Sequence, residues 1–170
     1  MKTKYYLQTN LFIALFFLCI SCVSNGDIGN DTPENLGRSI LHSLQQDDIE
    51  LFTKYIYTEH EVEYFIKNYK KKLDAESVRD RHKEYYPKLI EAFDKIRKDA
   101  VSKGLTNWDD VEFSKVSYSS RMDETEARST RLEFTNDKFI GIVNLSTIRK
   151  SDRGWFMQGM PSFRGYSRMN

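Results

Sequence analysis

The 170-residue chain has two cysteines, Cys19 and Cys22, and none beyond them. No disulfide framework can therefore staple the rest of the protein. Proline is scarce, with three residues, and so is glycine, with eight, which excludes a long disordered or collagen-like region. The glycines are scattered and form neither a G-x-G-x-x-G run nor a Walker loop, so no glycine loop cradles phosphate. A G-x-S-x-G elbow is missing too. Charge of one sign is not in excess: 26 Lys and Arg face 25 Asp and Glu, for a formal +1. A generic nucleic-acid binder would carry a strong basic surplus.

The longest apolar run is the ten residues Leu11–Ile20. A spanning helix needs about 20 apolar residues and the hydrophobic stretch of a secretory leader about 7–15. Lys2 and Lys4 precede the run and no acidic residue occurs before Asp27, so residues 1–21 read as a leader. The run closes on Cys19-Ile20-Ser21-Cys22, which resembles a bacterial lipoprotein processing site: a bulky residue, a tolerated one, a small one, then the cysteine.

The resemblance implies that Cys22 takes a diacylglyceryl thioether, becomes the first residue of the mature chain and holds it to the lipid bilayer. Two or three acyl chains meet the rule that stable anchoring takes more than one. Val23 rather than Asp after the cysteine implies the outer membrane of a bacterial envelope. The chain then divides into a signal peptide (1–21), a flexible tether (22–31), an α+β domain (32–161) and a C-terminal tail (162–170). Without Lys2 and Lys4 the mature chain has 24 basic and 25 acidic residues, a net of −1.

Within the domain the apolar period is first helical and then strand-like. Thr32 as N-cap and Pro33 at the first helical position open a helix whose stripe is Leu36, Ile40 and Leu44. Asp47 with Glu50, and Thr58 with Glu61, have capping-box spacing and start two short helices. Val62, Phe65, Ile66 and Tyr69 give the second of these an amphipathic face. Pro87 marks a kink or break, after which Leu89, Phe93, Ile96 and Ala100 line a helix that Gly104 ends.

From Val111 the period becomes two. Strands are expected at 111–118 with a bulge near Ser114-Lys115, at 128–134, at 138–150 and at 155–160, with a turn at Asn136-Asp137. Helices followed by a four-stranded antiparallel meander define a two-layer α+β domain. This order over residues 36–161, with Leu44-Gln45-Gln46-Asp47-Asp48-Ile49, the helix ending at Gly104 and the closing Gly154-Trp155-Phe156, is similar to the cone-like fold of the nuclear transport factor and polyketide cyclase superfamily. The resemblance implies a curved sheet wrapped on helices with a pocket at the open end. Its members include enzymes, ligand carriers and interaction domains, so the function has to come from a site.

Few residues offer chemistry. Glu59-His60-Glu61 with Glu63, and Asp80-Arg81-His82 with Glu84, are the two His–carboxylate clusters, and neither has a second histidine at metal-binding spacing. No metal or other cofactor is expected. Arg131 and Asn144 are the polar strand positions that alternation places toward the helices, as ligand hooks or as plain exposed sheet residues. The 138–150 strand is apolar on both faces, with Phe139, Val143 and Leu145 on one and Ile140, Ile142 and Ile148 on the other. The second face is expected to meet the tail, a second copy of the chain or a ligand. The tail itself, with aromatics between arginines, reads as a loose terminus or a strand extension, and export argues against nucleic acid.

The reading that follows is a membrane-anchored, non-catalytic module for a protein partner or a small apolar ligand. A homodimer or another envelope protein is the expected partner. The alternative is a cone-fold enzyme acting on a small hydrophobic substrate.

Overall fold

Thr32 Oγ1 accepts the Asn35 amide at 3.1 Å and Pro33 takes the first helical position, so α1 (Pro33–Gln46) starts where capping chemistry puts it. The computed structural model describes residues 28–68 and 74–167, with residues 120–123 described by their backbone alone. Cys22 and the leader lie outside the described residues. Leu36, Ile40 and Leu44 are fully buried, as their spacing predicts. Asp47 then ends α1 in a left-handed conformation (φ 55°). Asp48, one residue later than the capping-box spacing indicated, caps α2 (Ile49–Thr53) by accepting the Leu51 amide at 2.8 Å. Asp47 cannot do both jobs, because its backbone is spent on turning the chain.

α3 (Glu59–Asn68) follows Thr58, and α4 (Ala75–Ser102) follows its cap Asp74. Of the kink or break expected at Pro87, the break does not occur: α4 runs through it for 28 residues. Proline removes one helical N–H and crowds the preceding turn. Packing on both sides offsets that local cost. Val78 joins a small cluster with α3 before the proline, and Leu89, Phe93, Ile96 and Ala100 enter the main core after it. Gly104, at φ +99°, closes α4 in a Schellman arrangement, with Leu105 N–H donating to Ala100 and Gly104 N–H to Val101, both at 3.0 Å.

The sheet has six antiparallel strands, not four: β1 (Glu112–Ser117), β2 (Ser120–Asp123), β3 (Glu126–Thr135), β4 (Phe139–Ser151), β5 (Gly154–Met157) and β6 (Ser162–Ser167). The β3–β4 hairpin is its spine. β1 pairs with the second half of β3 and β2 with its first half; β6 pairs with the first half of β4 and β5 with its second half. The segment set apart as a tail thus supplies β6, and the domain continues beyond residue 161. β6 extends the sheet edgewise instead of lying over its face. The expected bulge in β1 is present between Phe113 and Lys115. β2 lies outside the strands expected from the sequence because it is short, polar and peripheral, and β6 realises the strand extension that was one of the two readings of the tail.

The spine changes phase in its middle. Ser129 (φ 51°) and Ser146 (φ 60°) are left-handed, and the β3–β4 register slips between Arg128 and Arg131. Such bulges bend strands and move the next side chain to the other face. Before Ser146 the core takes Phe139, Gly141, Val143 and Leu145; after it the core takes Ile148. Ile148 therefore does not share a face with Ile140 and Ile142, which corrects the grouping read from alternation.

Gly141 is where β4 lets an aromatic ring cross it. A Cβ there would lie 2.3 Å from two ring atoms of Phe134, which is fully buried and also touches the Trp108 and Phe163 rings. Gly141→Ala is expected to destabilise the fold by about 2 kcal/mol through overpacking. A denaturant midpoint equal to that of the parent protein would refute this. Among the described residues no helix is long and apolar enough to cross a membrane.

Candidate functional site: the cleft between α3 and α4

The sequence around Thr58 forms the half of a capping box in which Glu61 reaches back to the Thr58 amide, and the structure adds a second task for that carboxylate. Glu61 accepts the Thr58 amide at 3.0 Å and the Thr58 hydroxyl, and it also receives Arg153 from the β4–β5 turn through Nε (2.8 Å) and Nη2. The Glu61 side chain has no solvent exposure, whereas Arg153 remains about half exposed at 49%. His60 Nε2 meets Asp152 Oδ1 of the same turn at 3.0 Å. α3 is therefore fastened to the turn by the Glu61–Arg153 ion pair and the His60–Asp152 hydrogen bond. Arg79 then ties α4 to α3 with a forked pair to Glu63, at 2.6 and 2.9 Å.

Between the fastened helices and the second half of the sheet lies a cleft of about 140 Å³. Its apolar walls are Val62, Phe65, Val78 and Leu89, with Tyr57 and Tyr85 beside them. Its polar lining is Arg81, His82, Arg149 and Gln158. Tyr57 and Val62, with Ile66 and Phe156, form a small second core that is separate from the main one and supports the cleft floor.

Arg149 comes from β4 just beyond the phase change. Its guanidinium lies 4.0 Å over the Phe65 ring, and Nη2 pairs with Glu126, which also binds Arg128. Arg149 Nε is buried with no hydrogen-bond partner among the described residues. His82 is half-buried, its ring 5.3 Å from that of Tyr86. Burial holds its pKa below the ordinary histidine value, partly opposed by the charges of Glu59 and Glu61.

None of the side chains singled out by alternation enters this cleft. Arg131 and Asn144 are cross-strand partners on the face away from the helices; Arg131 is exposed, and Asn144 Oδ1 accepts the Ser146 amide at 3.0 Å, serving the bulge. The placement toward the helices is thus corrected. Ile140 and Ile142 are half-buried on that outer face, where Tyr166 and Arg164 of β6 stand directly across from them. Ile148 is in the core.

The His–carboxylate clusters separate as well. His60 goes to Asp152 and Glu63 to Arg79, and among the described residues no group of three His, Cys, Asp or Glu could hold a metal ion. His82 is the member of those clusters that reaches the cleft. Sequence carried a faint signal for it, since Arg81, His82 and Tyr85 share one side of a helical turn. Compared with known proteins, the chain matches no family, no curated protein and no solved structure.

Proposed function

We propose that this protein is a lipid-anchored module of the bacterial envelope that binds a small molecule in the α3–α4 cleft without transforming it. The observation that carries the reading is the cleft itself, whose apolar walls and few convergent polar groups have the character of a ligand site. The anchor rests on Cys22, the leader before it and the resemblance of Cys19-Ile20-Ser21-Cys22 to a lipoprotein processing site. The likeness to the cone-like superfamily belongs to the same proposal, supported by helices preceding a sheet whose long strands bulge at Ser129 and Ser146.

One observation favours the enzymatic alternative: His82 is half-buried in the cleft with a lowered pKa, a state suited to a general base. The cleft lining offers it neither a carboxylate to orient the imidazole nor a hydroxyl of serine or threonine to activate. Binding is therefore the better reading.

The test is purification of the full chain from its own membranes in detergent. Intact mass is expected to show loss of residues 1–21 and a lipid on Cys22, and denaturation is expected to release a small organic molecule in near-stoichiometric amount. A retained Met1 or an unmodified Cys22 overturns the anchor. A tightly held protein with no small molecule overturns the ligand reading.

A further inference from the structure

The charged groups that line the cleft are of one sign, although Glu59 stands in the adjoining hollow that shares Val62 and His82 with it. Arg79 and Arg153 each have their own carboxylate, in Glu63 and Glu61. Arg149 and Arg128 share the single carboxylate of Glu126, which leaves one positive charge over. Arg81 has no ion-pair partner among the described residues, and no acidic side chain lines the cleft. Other hollows differ in this respect. The one of about 540 Å³ beside α2 mixes Asp47 and Asp48 with Lys54, and the one of about 580 Å³ at the β4–β5 turn mixes Asp31 and Asp152 with Lys150 and Arg153.

We propose that the cleft takes a small organic anion, a carboxylate on a ring-sized apolar body, with Arg81 and Arg149 at its charged end. This rests on the reading of the cleft as the binding site. Size sets the body: about 140 Å³ is close to the roughly 150 Å³ cavity that accommodates benzene. Phe65, Val78 and Leu89 supply apolar contact for it. Arg149 is already fixed by Glu126 behind it and Phe65 beneath it, so little side-chain freedom is lost when an anion arrives. Its side chain keeps 18% of its surface accessible, so part of it can still be reached although Nη2 is already paired with Glu126. A guanidinium and a carboxylate are matched in shape as well as charge.

Three probes of one size and different charge test the inference: benzoate, benzyl alcohol and benzylamine. They are titrated into the full chain in detergent at neutral pH while the methyl resonances of Val62, Val78 and Leu89 are followed. Benzoate is expected to shift these methyls saturably, with benzyl alcohol and benzylamine at least about tenfold weaker, as loss of a charge-assisted contact implies. Arg81→Ala is expected to weaken benzoate about tenfold and leave benzyl alcohol unchanged. Arg149→Met provides the second variant, and Arg81 is exposed on α4, so at least one of the two keeps the fold. Equal binding of benzyl alcohol or benzylamine at these methyls overturns the anion assignment and leaves the binding site standing. No saturable methyl shift with any probe overturns the anion assignment, and the molecule released on denaturation decides the binding reading separately.

Discussion

Replacing Glu61 with alanine is expected to lower the free energy of unfolding by about 3 kcal/mol, the low end of what breaking a buried ion pair costs. The low end applies because Arg153, once freed, is half exposed and can hydrate. Part of the loss, about 1 kcal/mol, is the bond from the Thr58 amide to Glu61 at the start of α3. Arg153→Ala is expected to cost at least as much, since it leaves a carboxylate with no solvent exposure beside Thr58 alone. The double variant should then cost little more than either single one, because each removes the same interaction.

The site follows the fold here. α3 is held to the β4–β5 turn through Glu61–Arg153 and His60–Asp152, and Val62 and Phe65 of the cleft ride on α3. Amide exchange across Val62–Ile66 should therefore speed up in both single variants more than exchange in α1. Denaturant midpoints of both single variants within about 0.5 kcal/mol of the parent would refute the clamp, since that is the size of an ordinary surface substitution.

What the sequence made legible was what neighbours along the chain decide. Thr32-Pro33, the Leu36–Ile40–Leu44 stripe, the Gly104 cap and the bulge at Ser114 are local chemistry, and each is present in the structure. At Pro87 the break, one of the two outcomes expected there, is absent for the complementary reason. The proline's local penalty is real, but contacts at Val78 on one side and Leu89–Ala100 on the other outweigh it. β6 was half legible: a strand extension was one of two readings of the tail, and only its pairing with β4 settles which holds.

The cleft was the least legible part. Glu61 reads as a capping residue, and nothing near it announces that Arg153, 92 positions later, completes a buried pair. Arg149 is one unremarked position near the end of the 138–150 strand until Phe65 and Glu126 come to either side of it. Side chains whose role is set by partners so distant in sequence carry no periodic signature. Arg131 and Asn144 had such a signature, and it pointed to the wrong face because the helices cover the other side.

Ile148→Lys is expected to abolish cooperative folding, whereas Ile142→Lys, six residues earlier in the same strand, is expected to leave it nearly intact. Unbroken alternation would treat the two positions alike. The left-handed Ser146 separates them: Ile148 has no solvent exposure and sits across from the buried Ala127 and Met157, while Ile142 is half-buried between Glu133 and Arg164. An ammonium at 148 would be buried without a partner, at a cost of several kcal/mol, and the isoleucine's own burial, about 1.5–3 kcal/mol, would be lost as well. Together these approach the whole stability of an ordinary domain, about 5–15 kcal/mol. At 142 a lysine can reach water beside Glu133, and the change should stay near 0.5 kcal/mol. Ile148→Leu, a swap of equal volume, serves as the control and should cost less than about 1.5 kcal/mol. Thermal unfolding followed by near-ultraviolet circular dichroism distinguishes the outcomes. If Ile148→Lys melted like the parent while Ile142→Lys did not, the phase change at Ser146 would be wrong. If Ile142→Lys kept its melt but halved its mass in solution, the outer face would be a contact between two copies of the chain.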